Sequence, residues 1–114
     1  MKEVVQRLNK VPGVRGSALV ARDGMPIVSD LAEGMTEDVA GAMISAIGTT
    51  TSKALEKLAQ GQLFQMMMDA SGGKLFLCET RVGYLAVFTD ADVNVGLIKL
   101  ELREGAAALN QSRS

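Results

Sequence analysis

The sequence predicts an α+β (α/β) fold, an α-β-α sandwich in which one sheet lies between two layers of helix, with elements in the order α-β-β-α-β-β-β-α. Two observations carry this. The first is a hairpin between Val14 and Ser29 whose leading strand is apolar on both alternating faces, Leu19 and Ala21 on one and Ala18 and Val20 on the other. A strand apolar on both faces is covered on both. The second is a set of three strand-like runs after Gly61, joined by short glycine-bearing links, which reads as an antiparallel meander.

Each element has its own signal. Val4, Val5, Leu8 and Val11 recur at helical spacing, so Lys2–Lys10 is a short helix that Pro12-Gly13 stops. The hairpin follows, with Asp23-Gly24 as a two-residue type I′ turn in which both residues need positive φ. A long helix opens at Thr36, a suitable N-cap, with Glu37 and Asp38 at the positive end of its dipole. Lys53 and Lys57 sit near the other end, and Gly61 is the expected stop. Its broad apolar arc, from Val39 and Met43 through Ile47 and Thr50 to Ala54 and Leu58, is expected on the sheet.

Beside that arc runs a line of small residues, Gly41, Ser45, Gly48 and Ser52. Either these positions are exposed and indifferent, or another backbone comes close to them. The candidate for a close approach is the same helix from a second copy across a two-fold axis. The meander strands are Gln62–Asp69, Lys74–Thr80 and Tyr84–Thr89. The triplet Met66-Met67-Met68 reads either as adaptable core filler or as a strand that pairs across a subunit boundary. Asp90, Asp92 and Asn94 offer caps for a last helix from Val95 to about Leu109, with Val95, Ile98, Leu102, Ala106 and Leu109 as its buried stripe. The chain is expected to form one domain over residues 1–110, with 111–114 a frayed tail.

Composition excludes several classes. The net charge is -1 and there is one Tyr and no Trp, which gives no basis for nucleic-acid binding. No apolar run approaches the ~20 residues that span a bilayer, and the N-terminus does not read as a signal peptide. The single cysteine, Cys78, suits a reducing, cytoplasmic location. There is no histidine, hence no usual general base and no common zinc ligand. Gly72-Gly73-Lys74 does not complete a phosphate loop, because Met68 and Leu75 stand where glycine and Ser/Thr are needed. Cys78 reads as an inert core thiol, and Asp90 and Asp92 as caps rather than a metal pair. No enzyme activity, cofactor or metal is expected.

The hairpin Val14–Ile27, with Tyr84–Thr89 followed by Asn94–Leu102, resembles the Roadblock/dynein light chain family, specifically its short prokaryotic members similar to MglB-type GTPase regulators. The resemblance runs from Val4 to Leu109 and rests on turn chemistry and strand pattern, which specify fold better than activity. It implies a longin- and profilin-like five-stranded antiparallel sheet, the long helix on one face and the terminal helices on the other. It further implies homodimers that pair their third strands into one continuous sheet with the long helices side by side.

The expected dimer interface is then Gly41, Ser45, Gly48 and Ser52 with Leu63, Phe64, Gln65, Met66, Met67 and Met68, a run that carries no Lys or Pro to protect its edge. For function the resemblance implies a non-enzymatic platform for a small Ras-like GTPase, whose hydrolysis some members stimulate. With the apolar arc on the sheet and the seam on its twin, Asp38, Ala42, Thr49, Lys53, Glu56 and Lys57 are left outward as the GTPase-binding strip. The alternative is a pure scaffold subunit without effect on nucleotide turnover, and a small-ligand sensor domain is a third, disfavoured by the lack of a polar cluster.

Overall fold

The computed structural model describes residues 1–111. Its elements are α1 (Lys2–Asn9), β1 (Val14–Val20), β2 (Pro26–Asp30), α2 (Glu37–Lys57), β3 (Met66–Ala70), β4 (Gly73–Thr80), β5 (Gly83–Thr89) and α3 (Val95–Gln111). The strands form one antiparallel sheet in the order β2-β1-β5-β4-β3. This is the predicted element order, with α1 and α3 on one face and α2 on the other.

Strand alternation divides the core between the two faces. On β5, Leu85 and Val87 point toward α1 and α3, where they meet Leu8, Leu19, Ile98 and Leu102. Tyr84 and Ala86 point the other way and meet Ala18, Ala40 and Ile44 under α2. The central strands are therefore buried on both sides, as the two-faced apolar pattern of the hairpin requires. Small side chains at Ala18, Ala40 and Ala86 let α2 lie close to the sheet.

Four local expectations are corrected. The hairpin turn is not a two-residue type I′ turn: only Gly24 has positive φ, at 95°. Gly24 N–H donates to Ala21 O at 2.9 Å and Ala21 N–H to Met25 O at 2.9 Å, which makes Arg22-Asp23-Gly24 a three-residue loop closed by a left-handed glycine. The Asp23 carboxylate accepts from Met25 N–H at 3.0 Å and holds this form. The third strand starts at Met66 rather than Gln62, because Leu63 turns inward to the core and Gln65 is tied to α3 by a bond from its Nε2 to Lys99 O at 3.0 Å.

The stop of α2 is not Gly61. Gln60 N–H donates to Leu55 O at 2.8 Å and Ala59 N–H to Glu56 O at 3.1 Å, a paired C-terminal cap with Ala59 left-handed at φ 59°. Lastly, α3 runs beyond its expected end near Leu109, through Asn110 and Gln111; Ser112, Arg113 and Ser114 lie outside the described residues. Asn110 is held because its Oδ1 accepts from Arg81 N–H at 2.8 Å and its carbonyl from the Arg81 guanidinium at 3.0 Å.

Candidate interaction surface

The longest helix, α2, covers one face of the sheet and presents its other side outward. Thr36 caps the helix, its Oγ1 accepting from Val39 N–H at 3.3 Å, with Glu37 and Asp38 in the first turn and Lys57 in the last. The face turned to the sheet is Ala40, Gly41, Ile44 and Gly48. The predicted arc is thereby rotated: Val39 is 61% and Met43 56% exposed, and Thr50 and Ala54 also face outward.

The small-residue seam packs within the chain, which corrects the expectation of a twin helix there. A β-carbon on Gly41 would collide with the carbonyl oxygen of Gly24 in the hairpin loop. One on Gly48 would lie 2.6 Å from the ring of Tyr84. Ser45 sits against Gly24 and donates to Ala42 O at 3.1 Å; Ser52 is half-buried, its Oγ without a partner among the described residues. The close backbone foreseen from the spacing is thus the chain's own turn, with its only tyrosine beside it. The signal that would have located it is the coincidence of two helix glycines with an Asp-Gly loop and a lone Tyr at a strand start.

What α2 shows instead is apolar. Val39, Met43 and Ile47 on the helix, Met35 before it, and Leu75 and Phe88 on the sheet line a cleft of about 170 Å³. Leu75 pairs with Met68 of β3, so the apolar surface continues to the strand at the sheet edge. β3 has a neighbour on one side alone. Of the residues predicted at the dimer interface, Met66 and Met68 are half-buried and Met67 is 39% exposed on this edge strand, while Phe64 stands 77% exposed just before it. Leu63 is corrected: at 4% exposure it belongs to the core beneath α2. Gln65 is half-buried and bonded to α3.

The polar strip lies next to this surface. Asp38, Ala42, Lys53, Glu56 and Lys57 are exposed, and the four charged side chains enter no ion pair among the described residues. Thr49 is half-buried and its hydroxyl donates to Ser45 O at 2.8 Å, so it contributes little to the surface.

The groups that invited a chemical reading are structural where the fold places them. Burial pushes the Cys78 thiol up to about 12, which removes its nucleophile at neutral pH. Asp90 accepts from Arg15 Nε at 2.7 Å, while Arg15 Nη1 donates to Gly72 O at 2.9 Å, a clasp joining β1 to the β3–β4 turn. Glu79 pairs with Arg22, whose guanidinium also lies 5.9 Å from the Tyr84 ring centroid. Among the described residues no three His, Cys, Asp or Glu side chains are grouped to hold a metal, and no helix is long and apolar enough to cross a membrane.

A sheet of this order with one long helix on one face and the terminal helices on the other defines the class, and the match over residues 1–89 is to the Roadblock/LC7 domain: the chain belongs to that family. Among curated relatives it is 35% identical over 103 residues to the uncharacterized protein MJ0310 of Methanocaldococcus jannaschii, covering 90% of each chain. To MJ0714 of the same organism it is 34% identical over 103 residues, covering 90% of this chain and 87% of the other.

The fold is also that of solved structures. Myxococcus xanthus MglB superposes with TM-score 0.89 at 15% identity, over 96% of this chain and 90% of that one. The Roadblock/LC7 domain from Streptomyces avermitilis gives 0.85 at 16% identity, over 95% and 92%. The gliding protein MglB of Thermus thermophilus gives 0.81 at 18% identity, over 95% and 84%.

Proposed function

We propose that this protein is a cytoplasmic, non-enzymatic homodimer that serves as a platform for a small Ras-like GTPase. The observation that carries the reading is the apolar outer face of α2, with Val39 61% and Met43 56% exposed, running into the unpaired edge of β3. Exposed strand edges and contiguous apolar patches recruit other chains. A second copy that pairs its β3 with this one and lays its α2 alongside covers both features at once. The structural likeness to MglB, and a solved MglB with tetrameric arrangement, support self-association.

The GTPase then docks on Asp38, Ala42, Lys53, Glu56 and Lys57, two copies of which flank the two-fold axis. Mixed charge in an exposed strip suits a transient, salt-sensitive contact. α2 contains no arginine, so stimulation through this face orders the GTPase's own switch loops rather than donating an arginine. The same absence favours the second reading, a scaffold that tethers the GTPase without changing its turnover.

Light scattering after size exclusion is expected to give close to twice 12.0 kDa. Met43→Glu should halve that mass while the chain stays folded, since the side chain is 56% exposed. The double variant Lys53→Glu, Glu56→Lys should weaken binding to a GTP-loaded Ras-like GTPase and leave dimer mass and melting unchanged. A monomer at ~100 μM, unchanged affinity, or a preference for the GDP form overturns the reading. Turnover measured with and without the dimer separates regulator from scaffold.

A further inference from the structure

On the other face of the sheet, away from α2, a groove of about 560 Å³ runs between α3 and the segment that leads into β3. Its outer wall is Phe64, at 77% exposure, and its inner wall is Ala106 and Ala107 of α3, with Cys78 in the floor. Met67 projects toward the same side, since it pairs with Phe76 of the α1–α3 core and is 39% exposed. The bond from Gln65 to Lys99 O holds this segment against α3, so the groove is braced rather than a gap beside a free loop. An exposed aromatic ring beside an apolar trough offers a large apolar contact area to a partner.

The unpaired charges around the groove are positive. Arg103 lines it, Lys99 lies one turn earlier on α3, and neither enters an ion pair among the described residues. Arg81 stands at the far end, where it bonds the carbonyl of Asn110 without neutralisation. The one carboxylate in the lining, Glu79, is already held by Arg22 at 3.2 Å. Three uncompensated cations around an apolar trough select against a basic or purely apolar ligand.

We propose that this groove is a docking site for an acidic peptide segment of a partner protein, which inserts one aliphatic or aromatic side chain between Phe64 and Ala106–Ala107 and sets carboxylates against Arg103 and Lys99. It is a surface distinct from α2, so an occupant here leaves the helix face free.

The test uses the full chain and a labelled synthetic dodecapeptide with one central leucine flanked by glutamates, with lysines replacing the glutamates in the control peptide. Fluorescence anisotropy at low salt should show binding of the acidic peptide alone, weakened about tenfold by Arg103→Glu and by Phe64→Ala. Resonances of Ala106 and Ala107 should move with the same midpoint. Both substituted positions are exposed, and unchanged melting confirms that the variants fold. The proposal is overturned by no binding at ~1 mM peptide, or by equal binding of the lysine peptide or of the Arg103→Glu variant. It is overturned as well if Phe64→Ala alters the mass of the free protein, which makes the ring a contact between copies.

Discussion

Gly48→Ala is expected to weaken the fold even though alanine is the better helix former. The new β-carbon would sit 2.6 Å from Cε1 and Cζ of Tyr84 and 2.7 Å from Cε2. Ordinary contact starts at 3.4 Å, so ring or helix must move by about 0.8 Å in a close-packed layer. The ring has little room to do so: Tyr84 is 1% exposed, and the Arg22 guanidinium lies 5.9 Å from its centroid. Overpacking of this kind costs about 1–3 kcal/mol, and the better propensity of alanine returns about 1 kcal/mol. The net loss is ~0–2 kcal/mol, a fall in melting temperature of up to roughly 10 °C.

The assay is thermal and urea unfolding at one fixed protein concentration, because dimerisation shifts apparent stability. Gly72→Ala is the control: a β-carbon there meets nothing within 4 Å, and its effect should stay within about 0.5 kcal/mol. Tyr84→Leu in the Gly48→Ala background should reveal a coupling of about 0.5–3 kcal/mol. If Gly48→Ala melts higher than the parent, the ring yields freely and the packing argument fails. If it changes the oligomeric mass while leaving unfolding of the monomer untouched, the seam meets a second chain after all.

Ala59→Gly should raise stability by about 0.5–1 kcal/mol, because a left-handed C-terminal cap strains any side chain; an unchanged urea midpoint refutes it. Cys78 holds its proton in the folded state, with its thiol at about 12 against an ordinary 9.0. Its contribution is therefore complete below pH 9 and lost as pH rises toward 12, up to ~4 kcal/mol in the limit. Relative to Cys78→Ala, the parent should lose stability more steeply across that window; parallel profiles would sink the assignment. Calorimetry with GTP or ATP and magnesium should record no binding heat, since the sequence lacks a phosphate loop, and micromolar affinity for either would contradict this.

The architecture was legible because its strongest signals are local and agree with one another. Thr36 with Glu37-Asp38 marks the start of α2, Pro12-Gly13 ends α1, and the glycine-bearing links space the meander. What was not legible depends on which face of an element meets which neighbour. A helix wheel shows that α2 has an apolar arc and a small-residue line, and hydrophobicity assigns the wider arc to the core. The fold does the reverse at the rim: Tyr84 and the Gly24 loop rise from the sheet, so glycine is required beneath them and Val39 and Met43 are left outside. The hairpin loop failed as a reading for a related reason. Asp-Gly is compatible with two loop lengths, and the Ala21 to Met25 hydrogen bond closes the longer one, just past the register shift between Leu19 and Val20 in the β1–β2 pairing. The outward strip at Asp38, Lys53, Glu56 and Lys57 was legible as exposed, since charge needs no partner to remain in water.

The strand order has a kinetic meaning. β1 is made early, yet its central partner is β5, with Ala18 opposite Ala86. Until β5 leaves the ribosome, the hairpin and α2 have no second sheet neighbour and β3–β4 has nothing to join. Such distant pairing must close a long loop before it gains contact energy, which slows folding and lengthens the time that unpaired edges are exposed. The family match ends at residue 89, and β5 ends at Thr89. That is also the first point during synthesis at which the sheet has all of its strands, so a chain truncated before Gly83 is two separate hairpins with no strand to join them.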